Sequence, residues 1–412
     1  MCYNDLISKK QMLFKNLLNE LPMIRLFYLI GQHNTDRYKK TFSTFQLFKS
    51  LLLMQILWTD SIREFETSVK TKRIALKEQS PYFALNLDGF NRSTFSYTNT
   101  HCDSFIFKEF FYECLHYFES KSYWKQFQST LNIPLFALDS STISLPLKLC
   151  NWATYKETKW WIKVHALLRD GYIPEYIEIT EANVADVTIW RQILKTKIPQ
   201  NSCAVFDLWY VDYRLYADLS DKNVFFVSRA KDNMKYEIID TWQINNMYEN
   251  WVINYEQDIR CYYKNTQHCT KSIPLRIINA TVLIEWKPKK FNFITNNFDL
   301  TPEEVAECYR LRWRIELFFK FIKQNLVIKS FVWNNRNAVE NQIRVASIFY
   351  LFISYLHFLC KSAEKRIRFI QSIKACVFNP LSILDILWIS EYSNYKPPGF
   401  SVWSMWRQLS LF

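Results

Sequence analysis

Glycine is scarce in this chain: four residues in 412, against fifteen tryptophans. Average usage of roughly 7% would supply several times more, so most tight turns must be made by residues that carry a Cβ. None of the ten cysteines forms a C-x-x-C pair, and the one close grouping, "CYYKNTQHC" (261–269, with His268), fits no common zinc spacing. Zinc ribbons and thioredoxin-type redox sites are thereby excluded, and a reducing compartment is expected. The longest apolar runs, "SLLLMQILW" (50–58) and "IFYLFISYLHFLC" (348–360), fall short of the ~20 residues a bilayer requires and are flanked by Lys49 and Lys361. Buried helices and no membrane partner are expected. The opening "MCYNDLISKKQMLFKNLLNELP" places charges among its apolar positions and has no small-residue cleavage site, so it suits an amphipathic helix rather than a secretory signal. A cytoplasmic protein follows as the expectation. Internal repeats and low-complexity linkers are also lacking.

What is present is basic and globular. Lys+Arg outnumber Asp+Glu by 52 to 39, giving +13 and a pI near 9.1, with 49% hydrophobic and 22% charged residues. Such a chain is long enough for two or more domains, and a polyanion is its natural partner. Nucleic acid is the first choice; a membrane surface or ribosome also fits the charge alone.

Periodicity divides the chain. Residues 1–125 look helical, as in "FSTFQLFKSLLLMQIL" (42–57) and "SFIFKEFFYECLHYFESK" (104–121), with Ser93 offered as an N-cap between them. DNA binding is one role for this basic module, packing alone the other. "PLFALDSSTISLPL" (134–147), "WWIKVHALLRD" (160–170) and "YIPEYIEITE" (172–181) predict three successive antiparallel strands, the last two joined at Gly171. A helix at 186–195, a buried strand "SCAVFD" (202–207), a helix at 211–220 and a strand at 223–230 follow, and 231–299 is β-rich. "TPEE" (301–304) is a capping box with Thr301 as N-cap and Pro302 at the first helical position. Another apolar helix is predicted over 336–362, then a short helical tail.

Three carboxylates stand out. Asp139 follows the apolar "LFAL" and Asp207 the apolar "CAVF", each at the end of a buried strand, where α/β sheets place functional groups. Structural readings compete: an Asx turn at Asp139 before "SST", and a cap for helix 211–220 at Asp207. Glu316 lies in "YRLRWRIELFFKFIKQN" (309–325), where Tyr309, Arg312, Glu316 and Lys323 share one helical stripe. Arg312 and Lys320 could make Glu316 part of a solvated ion-pair ladder. Against that, Leu311, Ile315, Leu317, Phe318, Phe319, Phe321 and Ile322 leave little of this helix polar, and a buried carboxylate needs a cation or metal. Two Asp and one Glu brought together would offer the hard oxygen ligands that Mg²⁺ prefers, for activating water or a 3′-hydroxyl in phosphoryl transfer.

The spacing Y-x2-R-x3-E-x6-K over Tyr309, Arg312, Glu316 and Lys323 resembles the YREK signature of DDE transposases of the insertion-sequence-four group. "LDSSTISL", "WATYKETK..IKVH", "IPEYIEIT", "YVDYRLY" and "RSTFSYTN" are similar to segments of the same group, and the likeness runs over roughly residues 10–350. The resemblance implies an α/β fold: an RNase H-like catalytic core over 130–350 with a β-rich insertion at about 231–299, preceded by a helical DNA-binding domain (1–125) and followed by a helical tail (351–412). It implies Asp139, Asp207 and Glu316 as catalytic residues holding two Mg²⁺ ions, with Mn²⁺ as a substitute, and Tyr309, Arg312 and Lys323 as DNA contacts. The implied reaction is nicking at terminal inverted repeats of double-stranded DNA followed by strand transfer, through a hairpin intermediate. A homodimer pairing the two ends, in the nucleoid of a prokaryotic cytoplasm, is implied with it. The alternative is a catalytically impaired DNA-binding derivative.

Departures from the group's pattern involve tryptophan. Trp58, Trp160, Trp161, Trp209 and Trp333 stand where similar proteins usually carry glycine. Together with the glycine shortage this suggests a gene whose UGA codons mean glycine, the alternative being genuine substitution in a decaying element; UGG at all five codons would refute the recoding reading. His165 is expected to be a structural strand residue, because DDE chemistry needs no histidine base. Trp313 suits either the core or stacking on an unpaired base.

Overall fold

The computed structural model describes residues 12–39, 42–59, 61–77, 91–121, 133–145, 160–170, 172–208, 212–248, 251–264, 270–284, 287–325, 335–359, 366–379, 381, 383 and 385. Trp209, Trp333, the side chain of Trp160, "WATYKETK", His268, Cys269 and the tail beyond 385 lie outside the described residues. The chain forms two compact units, one of residues 1–123 and 324–412, the other of residues 124–323.

The first unit is helical where described. It contains α1 (Leu13–Asn19), α2 (Met23–Gln32), α3 (Thr44–Leu57), α4 (Ile62–Lys77), α5 (Arg92–His101) and α6 (Phe105–Ser120). Later helices α11 (Arg336–Leu359) and α12 (Arg366–Cys376) join it. A reciprocal capping box of Ser43 and Gln46 starts α3, which is buried along nearly its whole length. The N-cap of α5 is Asn91, whose Oδ1 accepts from Ser93 N at 2.9 Å, so Ser93 is the capped rather than the capping residue. Asn can accept from the N–H two positions on, and here it takes the cap from the serine.

α11 packs against α3, α5, α6 and α12. Phe118 of α6 stacks on Tyr355 at 4.4 Å between centroids, and the buried Asn341 amide donates to Asn99 O and Cys102 O, both at 3.1 Å. Residues 324–350, read in sequence with the catalytic segment, thus group with the helices. At 24 residues α11 exceeds the apolar run seen in sequence and is long and apolar enough to cross a membrane, but 83% of its most apolar window is buried in this helical core. Its hydrophobicity is accounted for by packing.

Trp58 ends α3 in the left-handed region, at φ 53° and ψ 42°, with its indole N–H buried and unpaired and Lys374 Nζ 5.1 Å from its ring centre. Helices commonly end this way on glycine, which has no Cβ to strain.

The second unit is built on one nine-stranded sheet: β1 (Leu135–Leu145), β2 (Trp160–Arg169), β3 (Ile173–Glu181), β4 (Cys203–Val205), β5 (Phe225–Arg229), β6 (Glu237–Met247), β7 (Val252–Lys264), β8 (Thr270–Ile284) and β9 (Lys287–Thr295). The order is β3-β2-β1-β4-β5-β9-β8-β7-β6. The first three strands are an antiparallel meander, and β4 and β5 run parallel to β1. Parallel pairing needs crossovers, supplied by α7 (Asp186–Thr196) and α8 (Tyr213–Ser220). The β-rich stretch does not make a separate sheet: β9 pairs antiparallel with β5 and continues the first one.

Alternation along the strands divides two cores. Phe136, Leu138 and Ala204 face Trp190 of α7 and Leu215 and Tyr216 of α8. Leu135, Cys203 and Val205 face Val305, Ala306 and Tyr309 of α9 (Pro302–Leu311) on the other side. That second face carries the site.

Candidate active site

β1 and β4 pair in parallel through Leu135↔Cys203, Phe136↔Ala204 and Ala137↔Val205. Asp139 and Asp207 each lie two residues beyond the last pair, Asp139 still on β1 and Asp207 just past the end of β4, so the two stretches of chain leave the pairing side by side. Asp139 does not end its strand, as the sequence suggested; β1 continues to Leu145 on its pairing with β2, and only the β4 side has stopped. An edge opens there beside Asp139.

Both carboxylates are fixed by short local bonds: Asp139 Oδ1 accepts from Ser140 N at 2.8 Å, and Asp207 Oδ1 from Leu208 N at 2.7 Å. Asp207 does not cap α8; Asp212 does, accepting from Arg214 N at 2.9 Å.

The third acid arrives on a helix that is divided. Thr301 and Glu304 form the predicted capping box, and α9 runs to Leu311. Arg312 interrupts it with helical angles (φ −55°, ψ −32°), and α10 (Trp313–Asn325) continues. Ile315, Phe318, Phe319 and Ile322 are buried, whereas Leu317 and Trp313 are 50% and 59% exposed. The apolar circumference is therefore narrower than the sequence suggested, and Trp313 is not core. Arg314, on the same helix, donates from Nη1 to Asp170 O at 3.0 Å and lies over the Tyr172 ring at 4.3 Å, tying α10 to the β2–β3 turn. Sequence reasoning missed this strut because its hydrogen-bond partner Asp170 is 144 residues away.

Tyr309 and Arg312 join the acids. The Tyr309 hydroxyl donates to Asp207 Oδ1 at 3.2 Å, and its ring packs on Phe293 at 5.0 Å. Arg312, buried to 8% exposure, donates from Nη2 to Glu316 Oε1 at 2.5 Å and holds Nη1 3.8 Å from Asp139 Oδ2. Its guanidinium carbon is 5.3 Å from the Tyr309 ring centre, and its Nε is buried without a hydrogen-bond partner.

The electrostatics show how tightly the group is drawn together. Burial pushes the Asp139 carboxyl up to about 6, Arg312 and the Ser140 N–H oppose the rise, and the charges of Glu316 and Asp207 add to it. Burial likewise lifts the Tyr309 phenol to about 12, with Asp207 adding and Arg312 opposing. For Arg312 burial disfavours the charge, but Tyr309, Asp207, Glu316 and Asp139 outweigh it and hold the group firmly protonated. Lys323 is exposed; partial desolvation lowers its ammonium, and the Asp139 charge acts in the opposite sense.

His165 lies on β2 pointing to the opposite face, against Trp190, with Nε2 2.9 Å from Thr180 Oγ1. Burial lowers it to about 4, opposed by Asp186, so it is a neutral structural histidine.

Residues 131–352, more than half of the chain and including all three acids, match the family model described as a transposase DDE domain. The chain belongs to the DDE transposase family. Residues 9–78 match a second model, described only as a domain of unknown function. A protein of Sinorhizobium fredii named as the transposase y4zB is 30% identical over 251 residues, 60% of this chain and 68% of that one. A protein named as the transposase for insertion sequence element IS5377 of Geobacillus stearothermophilus is 25% identical over 54% of this chain and 57% of its own length. One for element IS4SA of Synechocystis is 25% identical over 68% and 76%. A solved piggyBac transposase synaptic complex with hairpin DNA aligns at 12% identity with a TM-score of 0.35, too weak a likeness to carry an argument.

Within this DDE transposase, no three His, Cys, Asp or Glu groups among the described residues already stand together as a metal shell. The donor set nonetheless suits a hard divalent ion, being carboxylate oxygens alone, and a guanidinium now takes the cation's part between Asp139 and Glu316.

Proposed function

We propose that this chain binds the terminal inverted repeats of a mobile element as double-stranded DNA and catalyses metal-dependent strand cleavage and strand transfer. The observation that carries the reading is the convergence of Asp139 on β1 and Asp207 just past the parallel β4 with Glu316, Arg312 lying between Asp139 and Glu316 and Tyr309 bonding Asp207. The order β3-β2-β1-β4-β5, antiparallel then parallel, supports an RNase H-like core, and the helices before it support a DNA-binding domain.

Asp139, Asp207 and Glu316 would hold two Mg²⁺ ions, or Mn²⁺ in their place. Bound there, the ions supply a nucleophilic oxygen at neutral pH and stabilise the leaving oxygen of an in-line displacement. The chain's own residues do the positioning. Tyr309 orients Asp207, the Ser140 and Leu208 N–H groups fix the two Asp carboxylates, and Arg312 and Lys323 offer phosphate contacts. Exposed Trp313 can stack on a base. Two protomers would pair the two ends, in the cytoplasm at the nucleoid.

Alanine at Asp139, Asp207 or Glu316 tests the assignment on duplexes carrying the element's own ends. Loss of metal-dependent nicking with retained, salt-sensitive binding supports it. If the unaltered chain binds those ends but never cuts them, the impaired-derivative reading replaces it.

A further inference from the structure

Arg312 is oddly provided for. Its guanidinium is buried, sits between two carboxylates and lies against a tyrosine face, yet Nε has no acceptor. Buried N–H groups are nearly always paired, so an unmatched donor beside a cluster of acids marks an arrangement that is complete only with something else bound. That something carries an acceptor oxygen, and a cationic fork binds an anionic acceptor more strongly than a neutral one. The same guanidinium lies 3.8 Å from Asp139 Oδ2 and 2.5 Å from Glu316 Oε1, so any other cation that these two carboxylates were to hold would compete with it.

We propose that Arg312 is a resident counter-cation that must leave the carboxylates before a divalent ion enters, and that a DNA phosphate draws it away. Metal binding and DNA binding at this site are then coupled through one side chain. This rests on the carboxylates being the metal site, as proposed above. Without DNA, the guanidinium neutralises Glu316 and Asp139 and the acids remain closed to metal. A phosphate arriving along the exposed side of α10, where Lys323 is and where the Glu316 side chain is 35% exposed, offers the planar fork two oxygens and gives Nε its acceptor. Glu316 and Asp139 are then released together. The device keeps the acids from taking metal, and so from acting on water, until a substrate phosphate is in place. Tyr309 remains on Asp207 throughout and holds the second strand's carboxylate in position.

Mn²⁺ titrations of the full chain, read from the EPR signal of the free ion, test this with and without excess duplex DNA, the duplex's own uptake being subtracted. The unaltered chain should bind Mn²⁺ weakly alone and about tenfold or more tightly with duplex, within the 5- to 150-fold range of coupled sites. Arg312→Gln should bind Mn²⁺ tightly without DNA and gain little from it. Arg312→Lys, which keeps the charge, should remain weak alone, and it serves as the folded comparison if the glutamine variant does not fold. Equal Mn²⁺ affinity in all three, abolished by Asp139→Asn, would overturn the proposal while leaving the metal site standing. Binding that Asp139→Asn leaves unchanged would overturn the metal-site reading as well.

Discussion

Asp139→Asn should make the metal-free protein more stable at neutral pH and leave it unchanged in acid. The carboxyl is pushed from an ordinary 3.8 to about 6, first by burial, then by the charges of Glu316 and Asp207. A raised acid pKa means that the folded chain prefers the proton. The favourable contribution is present in full below about pH 4 and is lost as pH rises through about 6, so at pH 7.5 the ionised group is a burden. Two units correspond to about 3 kcal/mol, and with the side chain 21% exposed and free to relax, about 2 kcal/mol is expected. For a unit of residues 124–323 that is about 4–8 °C in melting midpoint. Asparagine retains the Oδ1 acceptor for Ser140 N, and Arg312 keeps Glu316, but its amide N–H groups replace the Oδ2 acceptor facing Arg312 Nη1, which trims the gain. Thermal melts in EDTA from pH 4 to 8 give the answer. A gap between variant and parent that is constant with pH, or an Asn variant that is less stable at pH 7.5, would refute the reasoning.

Two further substitutions test the elements that support the site and the helical unit. Thr301→Ala removes the hydroxyl that accepts from Glu304 N, leaves the Glu304 carboxylate accepting from the backbone N–H at position 301, and should cost about 1 kcal/mol in denaturant unfolding. Trp58→Gly relieves about 1–2 kcal/mol of left-handed strain and removes a buried unpaired N–H, against the loss of the Lys374 contact; its midpoint should rise, and a lower one would show that the indole belongs there.

Local chemistry was legible in the sequence and long-range pairing was not. The Thr301 box joins residues three positions apart and the meander joins strands consecutive in the chain, and both are found as expected; the Arg312–Glu316 pair, the i,i+4 contact of the competing ion-pair reading, is found as well. The joining of β9 to β5 and the packing of α11 on α3, α5 and α6 are contacts across long stretches of chain, which hydrophobic periodicity cannot assign. An apolar helix announces that it is buried, not against what. The three acids could be nominated singly from their apolar flanks, yet what joins them, Tyr309 on Asp207 and Arg312 between Asp139 and Glu316, appears only when β1 and β4 lie side by side. Competing acceptors explain the smaller differences: Asn91 Oδ1 takes the N–H that makes Ser93 the capped residue, and Asp212, not Asp207, accepts at the start of α8.

The central claim is that these carboxylates bring divalent ions to a DNA phosphate. It is tested most directly by replacing a non-bridging oxygen of the scissile phosphate at the element's end with sulfur. Cleavage in Mg²⁺ should fall sharply and recover in Mn²⁺, which accepts sulfur more readily. Equal rates on the oxygen and sulfur substrates in Mg²⁺, with both stereoisomers, would contradict the account.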